Sequence, residues 1–284
     1  MIALHLSPGF SPGPFKTITH ESFIFKGGEP HIKLKLTADV DPADPVLITQ
    51  RVANSADFML VLLATDALRR ADFQRVSLLM PYFPAARQDR PMVEGEPLSV
   101  RVYADLINAQ HYDRVTVFDP HSDVTPALLN HVQVVTNQAF ITQVLTGFDR
   151  ETVTLIAPDA GAAKKIHKLA QELGGLPVVL GEKVRDVRTG ALTGFQVFAD
   201  DLGGRHCLIV DDICDGGGTF IGLAAELRKL NPASVSLAVS HGIFSKGLAP
   251  LTDMLDHVYT TDSFATLTPA HAFTQTELNT LLQL

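Results

Sequence analysis

Residues 208–220, LIVDDICDGGGTF, bring together acids and glycines in an arrangement that could do chemistry. An apolar run of strand type ends in two carboxylates, Asp211 and Asp212. A third acid, Asp215, precedes Gly216, Gly217 and Gly218, and an amphipathic helix opens near Thr219. Glycines lack a Cβ, so successive backbone N–H groups can curl around a phosphate while the helix contributes its positive N-terminal end. Thr219 either caps that helix or donates its hydroxyl to the same phosphate. The carboxylates would repel a bare phosphate, but they suit the vicinal hydroxyls of a ribose or a magnesium ion with its waters. The chemistry indicated is recognition of a sugar phosphate.

Other candidates stand at the ends of other apolar runs. After a buried strand at 76–80 comes the loop PYFPAARQDRPMVEGEPLS, too polar and proline-punctuated for a core. Its Arg87, Gln88, Asp89 and Arg90 offer planar, fork-shaped donors for a polyphosphate or a purine edge, the alternative being a solvated basic loop. Asp119 and His121 close a strand at 115–118, where open α/β sheets place their chemistry. Asp159 follows a strand at 153–157 and serves equally well as the N-cap of the next helix. In GEKVRDVRTGAL, Lys183, Arg185 and Arg188 interleave with Glu182 and Asp186 as an ordinary charged hairpin. His241, behind a strand at 235–239, reads as a buried and satisfied histidine.

The elements that must position these residues alternate between strand and helix. A chain of 284 residues with 46% hydrophobic and 19% charged residues points to two compact α/β units, drawn at 1–138 and 139–284. Each half repeats a strand followed by an acidic turn. Residues 1–26, broken by Pro8, Pro12 and Pro14, read as irregular with short edge strands. FKGGEPHIKLKL reads as a hairpin turning at Gly27, Gly28 and Glu29. Helices are expected at 55–70, capped by Asn54 or Ser55, and at 97–109, with a short amphipathic helix in the tail.

A net charge of -8 argues against general nucleic-acid binding. The two cysteines, Cys207 and Cys214, read as buried small hydrophobes in a reducing compartment. The start, MIALHLSPGF, lacks a cationic leader, and no run approaches membrane-spanning length. The expectation is a cytoplasmic protein without a membrane partner.

At residues 208–220 the chain resembles the phosphoribosyl diphosphate loop shared by type I phosphoribosyltransferases and ribose-phosphate pyrophosphokinases. YFPAARQDR is similar to the ATP-contacting segment of the pyrophosphokinases, which the transferases lack. Asp119 and His121 resemble that family's metal-binding Asp-x-His. Asp159 matches its Pro-Asp-x-Gly turn, and Lys183 and Arg185 its Lys-x-Arg. The five motifs follow in family order between about residues 25 and 241. Departures occur at Pro91, Met92, Val93 and Glu94, where the family is basic, at 122–125, which is shortened, and at Gly27, where the family has an acid.

The resemblance implies two similar domains, each a mainly parallel sheet flanked by helices, of the type I phosphoribosyltransferase-like fold. The activity it implies is transfer of the diphosphoryl group of MgATP to the C1 hydroxyl of ribose 5-phosphate, giving phosphoribosyl diphosphate and AMP. Lys183 and Arg185 would then be catalytic. Gly27, Gly28, Glu29, Arg87, Gln88, Asp89 and Arg90 would bind ATP. Arg185, Asp211, Asp212, Asp215, Gly216, Gly217, Gly218 and Thr219 would bind ribose phosphate, and His121, Asp159 and Asp119 would hold Mg2+. In the family the adenine is reached across a subunit boundary, which implies a homo-oligomer, dimer or hexamer. Two rivals remain open: another ribose-bearing acceptor such as ADP-ribose, and a phosphoribosyltransferase reaction.

Overall fold

A computed structural model describes residues 1–185 and 192–282. Asp186 and Arg188 of the charged hairpin lie outside the described residues. The chain divides into two compact units, one of 1–136 with 263–266 and 277–284, the other of 137–262 with 267–276.

In unit 1 the elements run β1 (Ile2–His5), β2 (Lys16–Thr17), β3 (Thr19–Ile24), β4 (Pro30–Lys35), β5 (Val46–Thr49), α1 (Ser55–Arg70), β6 (Val76–Leu79), α2 (Ser99–Asn108), β7 (Val115–Phe118), α3 (Val124–Leu128) and β8 (Val132–Val135). Among the described residues, six strands form a sheet in the order β2-β1-β5-β6-β7-β8, all parallel, and β3 pairs with β4 as an antiparallel hairpin. The core forms between this sheet and the buried faces of α1 and α2, where Phe58, Val61, Leu68, Val100 and Ile107 are inaccessible or nearly so. Helix α1 starts where its chemistry dictates. Asn54 Oδ1 accepts the N–H groups of Ala56 and Asp57, and Asp57 Oδ2 accepts the N–H of Asn54, a reciprocal box contributing about 1 kcal/mol.

In unit 2 the elements are α4 (Gln138–Leu145), β9 (Val153–Ala157), α5 (Ala160–Glu172), β10 (Val178–Arg185), β11 (Leu192–Val197), β12 (His206–Cys214), α6 (Gly218–Leu227), β13 (Ser234–Gly242), α7 (Ala249–Thr252), β14 (His257–Thr261) and β15 (Phe273–Thr276). Their sheet runs β11-β10-β9-β12-β13-β14-β15, parallel except for the β10–β11 hairpin. From β9 the chain steps to one side, and from β12 to the other. The reversal falls between β9 and β12, the place where open α/β sheets form a ligand crevice at their carboxyl ends.

Several expectations need correction. β1 is an interior strand, not an edge: Ile2, Ala3 and Leu4 are 0–2% exposed, and the prolines fall only in the following connection. The loop after β6 begins inside the core, with Phe83 and Ala86 each 2% exposed, because its first residues are apolar despite the prolines. The tail forms β15 and a short 3-10 turn rather than an amphipathic helix. Residues 263–266 and 277–282 pack with unit 1, although the sequence boundary assigns all of 139–284 to unit 2. The cause is apolar: Leu278, Leu281 and Leu282 are buried, and Phe264 meets Tyr82 edge-on at 5.4 Å. No described helix is long and apolar enough to cross a membrane.

Candidate active site

The carboxyl ends of β9, β10 and β12 bring one set of candidates together in unit 2. Asp159 is the N-cap of α5, its Oδ1 accepting the N–H of Ala162 at 3.1 Å. Its other oxygen faces Lys183, with Nζ donating to Oδ2 at 3.2 Å. Both readings of Asp159 as cap and as site residue are therefore compatible. The side chains are 28% (Lys183) and 38% (Asp159) exposed, so this pair contributes at most about 1 kcal/mol and can yield to a ligand. Lys183 pairs across the hairpin with Phe195, and Arg185 ends β10 beyond a register shift.

Strand β12 continues past Val210 through both acids to Cys214, further than the apolar run indicated. The parallel neighbour β13 supplies the reason, pairing Asp211 with Val239 and Cys214 with Gly242. The acids are thus held on a strand instead of a loose turn. Asp212 is buried, and its N–H donates to Asp211 Oδ1 at 2.9 Å. Burial, then the charge of Asp212 and a hydrogen bond with its side chain, then the charge of Asp159, push Asp211 well above the usual carboxylate range; the Asp212 N–H opposes this. An accumulation of buried negative charge of this kind suits sugar hydroxyls or a cation.

The turn that follows differs from the expectation in one detail. Gly217, at φ 76°, is the N-cap of α6, which starts at Gly218, so Thr219 lies inside the helix and does not cap it. A side chain at Gly217 would also meet Leu251 at 2.9 Å. Glycine is required there twice over, by its left-handed backbone and by its neighbour. Thr219 retains the other role, a hydroxyl in the first turn of a helix whose N-terminal amides carry no side-chain cap.

Sequence reasoning missed Ser245 and Lys246. They follow β13, and the N–H of Ser245 donates to the Asp215 carbonyl, which folds this loop over the turn. Lys246 Cε would lie 3.5 Å from a Cβ on Gly216. The available signal is their place just beyond the end of an apolar strand. His241 is 2% exposed and partnered, as a core histidine should be.

Both cysteines are buried and free. Burial foremost raises the Cys207 thiol to about 11 and the Cys214 thiol to about 12, so neither supplies a thiolate near neutral pH.

In unit 1, Arg87, Gln88, Asp89 and Arg90 follow β6, while Asp119 and His121 follow its neighbour β7. Arg87, Gln88, Arg90 and His121 are exposed, whereas Asp119 is 2% exposed at φ 42°. Gly27, Gly28 and Glu29 form the exposed tip of the β3–β4 hairpin, closed by Phe25 N–H to the Glu29 carbonyl at 2.8 Å, with Gly28 at φ 97°. Beside the tip, Phe23, Phe25 and His31 form a cluster of rings with centroids 4.8–5.6 Å apart. Alternation along the strands gave no warning of that cluster.

No group of three or more metal-ligating side chains is preassembled among the described residues. That suits magnesium, which commonly binds through one or two carboxylates, retained waters and substrate phosphates. The charge gathered at Asp159, Asp211 and Asp212 fits such an ion.

A parallel sheet whose order reverses beside an acid pair, a glycine turn and a helix N-terminus defines a type I phosphoribosyltransferase-like fold. The sequence matches the family described as phosphoribosyl transferase domain over residues 128–269, and that described as the N-terminal domain of ribose phosphate pyrophosphokinase over 15–110. The ribose-phosphate pyrophosphokinase of Mycoplasma pneumoniae is 31% identical over 240 residues, covering 84% of this chain and 71% of that protein. The chain belongs to the ribose-phosphate pyrophosphokinase family. The Mycobacterium bovis relative is 33% identical over 190 residues, or 65% of this chain; the chain spans 57% of that relative's length. The crystal structure of phosphoribosylpyrophosphate synthetase from Mycobacterium smegmatis shares the fold at a TM-score of 0.84 and 23% identity, over 99% of this chain and 95% of that one.

Proposed function

We propose that this protein transfers the β,γ-diphosphoryl group of MgATP to the C1 hydroxyl of ribose 5-phosphate, forming phosphoribosyl diphosphate and AMP. The observation that carries the reading is the placement of Lys183 and Asp159 at the same strand ends as the acid pair and glycine turn of β12.

In this reaction the C1 oxygen attacks the β-phosphorus. The bond from that phosphorus to the oxygen bridging the α-phosphate breaks, AMP leaves with the bridging oxygen, and the hydroxyl proton passes to water. Both reactants are anionic, so catalysis rests on position and charge. The amides of 216–219 grip the 5-phosphate, with Asp215 at the start of the turn, while Asp211 and Asp212 take the ribose hydroxyls. Lys183 and Arg185 stabilise charge on the moving phosphoryl oxygens, a role whose loss typically costs about 2.7–4 kcal/mol in the barrier.

Arg87, Gln88, Asp89 and Arg90 bind the nucleotide phosphates. Gly27, Gly28 and Glu29, beside the rings of Phe23, Phe25 and His31, meet adenine from a neighbouring subunit, which makes a homo-oligomer part of the proposal. Asp119, His121 and Asp159 would hold magnesium, which when bound neutralises polyphosphate charge. A cytoplasmic setting, with ATP at hand and Cys207 and Cys214 reduced, belongs to the same reading.

Incubation with ATP and either ribose 5-phosphate or ADP-ribose, with products separated, tests it. AMP formed in step with phosphoribosyl diphosphate supports the proposal. AMP formed only with ADP-ribose would shift the acceptor, and the open space around Gly218 gives that variant its one structural argument. Pyrophosphate release from phosphoribosyl diphosphate and a base in the absence of ATP would make the chain a phosphoribosyltransferase.

A further inference from the structure

Two glycines in unit 2 sit where their side-chain-free surfaces receive a neighbour's knob. In the interior of α6, a Cβ on Gly222 would lie 2.1 Å from Phe195 Cε2 and 2.4 Å from Cδ2, so the ring of Phe195 occupies that space. In β10, a Cβ on Gly181 would lie 2.7 Å from Leu223 Cδ1 and 3.3 Å from the Ala157 carbonyl. Gly222 and Leu223 are consecutive in α6. The helix therefore offers a gap to the hairpin and the hairpin offers a gap to the helix.

Register extends this lock to the chemistry. Phe195 is the direct cross-strand partner of Lys183, and Gly181 precedes Lys183 by two residues. Directly opposed residues, and residues two apart on a strand, share a face of the sheet. The contact that seats the hairpin on α6 is thus the contact next to Lys183. About one turn before Gly222, α6 begins at the glycine turn.

Interior glycine is a poor choice for a helix on propensity alone, so its presence calls for a packing reason. We infer that Gly222 and Phe195 are positioning residues, a knob-and-gap seat that fixes the Lys183 strand against the sugar-phosphate helix and sets where the ammonium stands during transfer. The inference rests on the proposed role of Lys183.

Steady-state kinetics of Gly222→Ala, Phe195→Leu, the double variant and Lys183→Ala test it, alongside thermal melts. An alanine methyl displaces the ring by more than 1 Å from ordinary contact, and misplacement of that size can reduce turnover about 100-fold. Gly222→Ala is expected to lower kcat by roughly that factor while the KM for ribose 5-phosphate changes less than about threefold. Adding Phe195→Leu, which frees the space, should restore most of kcat, whereas Phe195→Leu alone should cost about tenfold.

A Gly222→Ala enzyme with normal kcat, or one whose double variant is no faster, overturns the lock while Lys183→Ala remains inactive. A raised KM at unchanged kcat overturns it too, by assigning Gly222 to the phosphate turn. A Lys183→Ala enzyme of near-wild-type rate overturns the role of Lys183 itself, and the lock with it. If Gly222→Ala melts early, the double variant decides: recovery of folding without recovery of kcat counts against the inference.

Discussion

The two sheets reverse strand order in similar ways, yet they fill the resulting crevice differently. In unit 2 the reversal between β9 and β12 leads into acids, a glycine turn and helix-terminal amides. In unit 1 the reversal between β1 and β5 leads into Ser7, Gln50 and Arg51, which satisfy one another. Ser7 Oγ donates to Gln50 Oε1 at 2.8 Å and accepts the Arg51 N–H at the same distance. The Arg51 guanidinium donates to the Pro8 carbonyl and to Thr266 Oγ1, each at 2.9 Å, and lies 5.0 Å from the centre of the Phe10 ring. A cavity of about 510 Å³ adjoins these residues, but its cation is committed to the protein. Topology provides the place for a ligand; the residues after each strand decide whether a ligand or the protein's own polar groups take it.

The largest effect that would break this contrast is at Lys183. Lys183→Ala should lower turnover on the order of 10²–10³-fold without changing the melting temperature by more than a degree or two, since a partly exposed ion pair contributes little to folding. A variant that retains most of its rate removes the lysine from the mechanism. Next comes the turn: Gly217→Val should raise the Kd for ribose 5-phosphate at least tenfold in calorimetric titration, because it needs φ 76° and collides with Leu251.

The matching change in unit 1, Arg51→Met, should leave that Kd unchanged while destabilising unit 1 by about 2 kcal/mol in denaturant unfolding, through lost buried hydrogen bonds. Weakened sugar-phosphate binding in Arg51→Met would erase the distinction between the two crevices. The smallest kinetic effect belongs to Lys246→Met, an exposed cation beside Gly216. It should weaken ribose 5-phosphate binding about threefold at low salt and less at high salt.

Stability should also report the buried acids. The raised pKa of Asp211 means that the folded state binds its proton more tightly than the unfolded chain does. Stability from this group is therefore present at low pH and is lost as pH rises from the unfolded carboxylate value through the elevated folded one. Asp211→Asn should then raise the melting temperature at pH 8 by about 2–4 °C for each ~1 kcal/mol recovered, and reduce its dependence on pH. A lower melting temperature at pH 8 would mean that the ionised acid is satisfied in the fold.

Much of this was legible before the structure. Strands such as 115–118 and 153–157 are apolar but for one threonine each and are wholly buried, and α1 carries both helical periodicity and a capping box. The candidate site was legible where a short segment carries its own acids and glycines, as at Asp211 to Thr219. What stayed hidden depends on partners distant in sequence. Lys246 lies near Gly216 only because β13 returns beside β12, and β1 looks peripheral until β2 and β5 flank it. Gly222 and Gly181 look unremarkable in the chain, and only Phe195 and Leu223 give them meaning. The tail pattern suggested a helix because it could not show that β14 offers a free edge to β15.

The most direct test is to follow backbone amide resonances as ribose 5-phosphate is added without nucleotide. The largest downfield shifts should fall on Gly216, Gly217, Gly218 and Thr219, with Ser7, Gln50 and Arg51 unmoved. Shifts centred on those unit 1 residues, with the amides after β12 silent, would contradict the account.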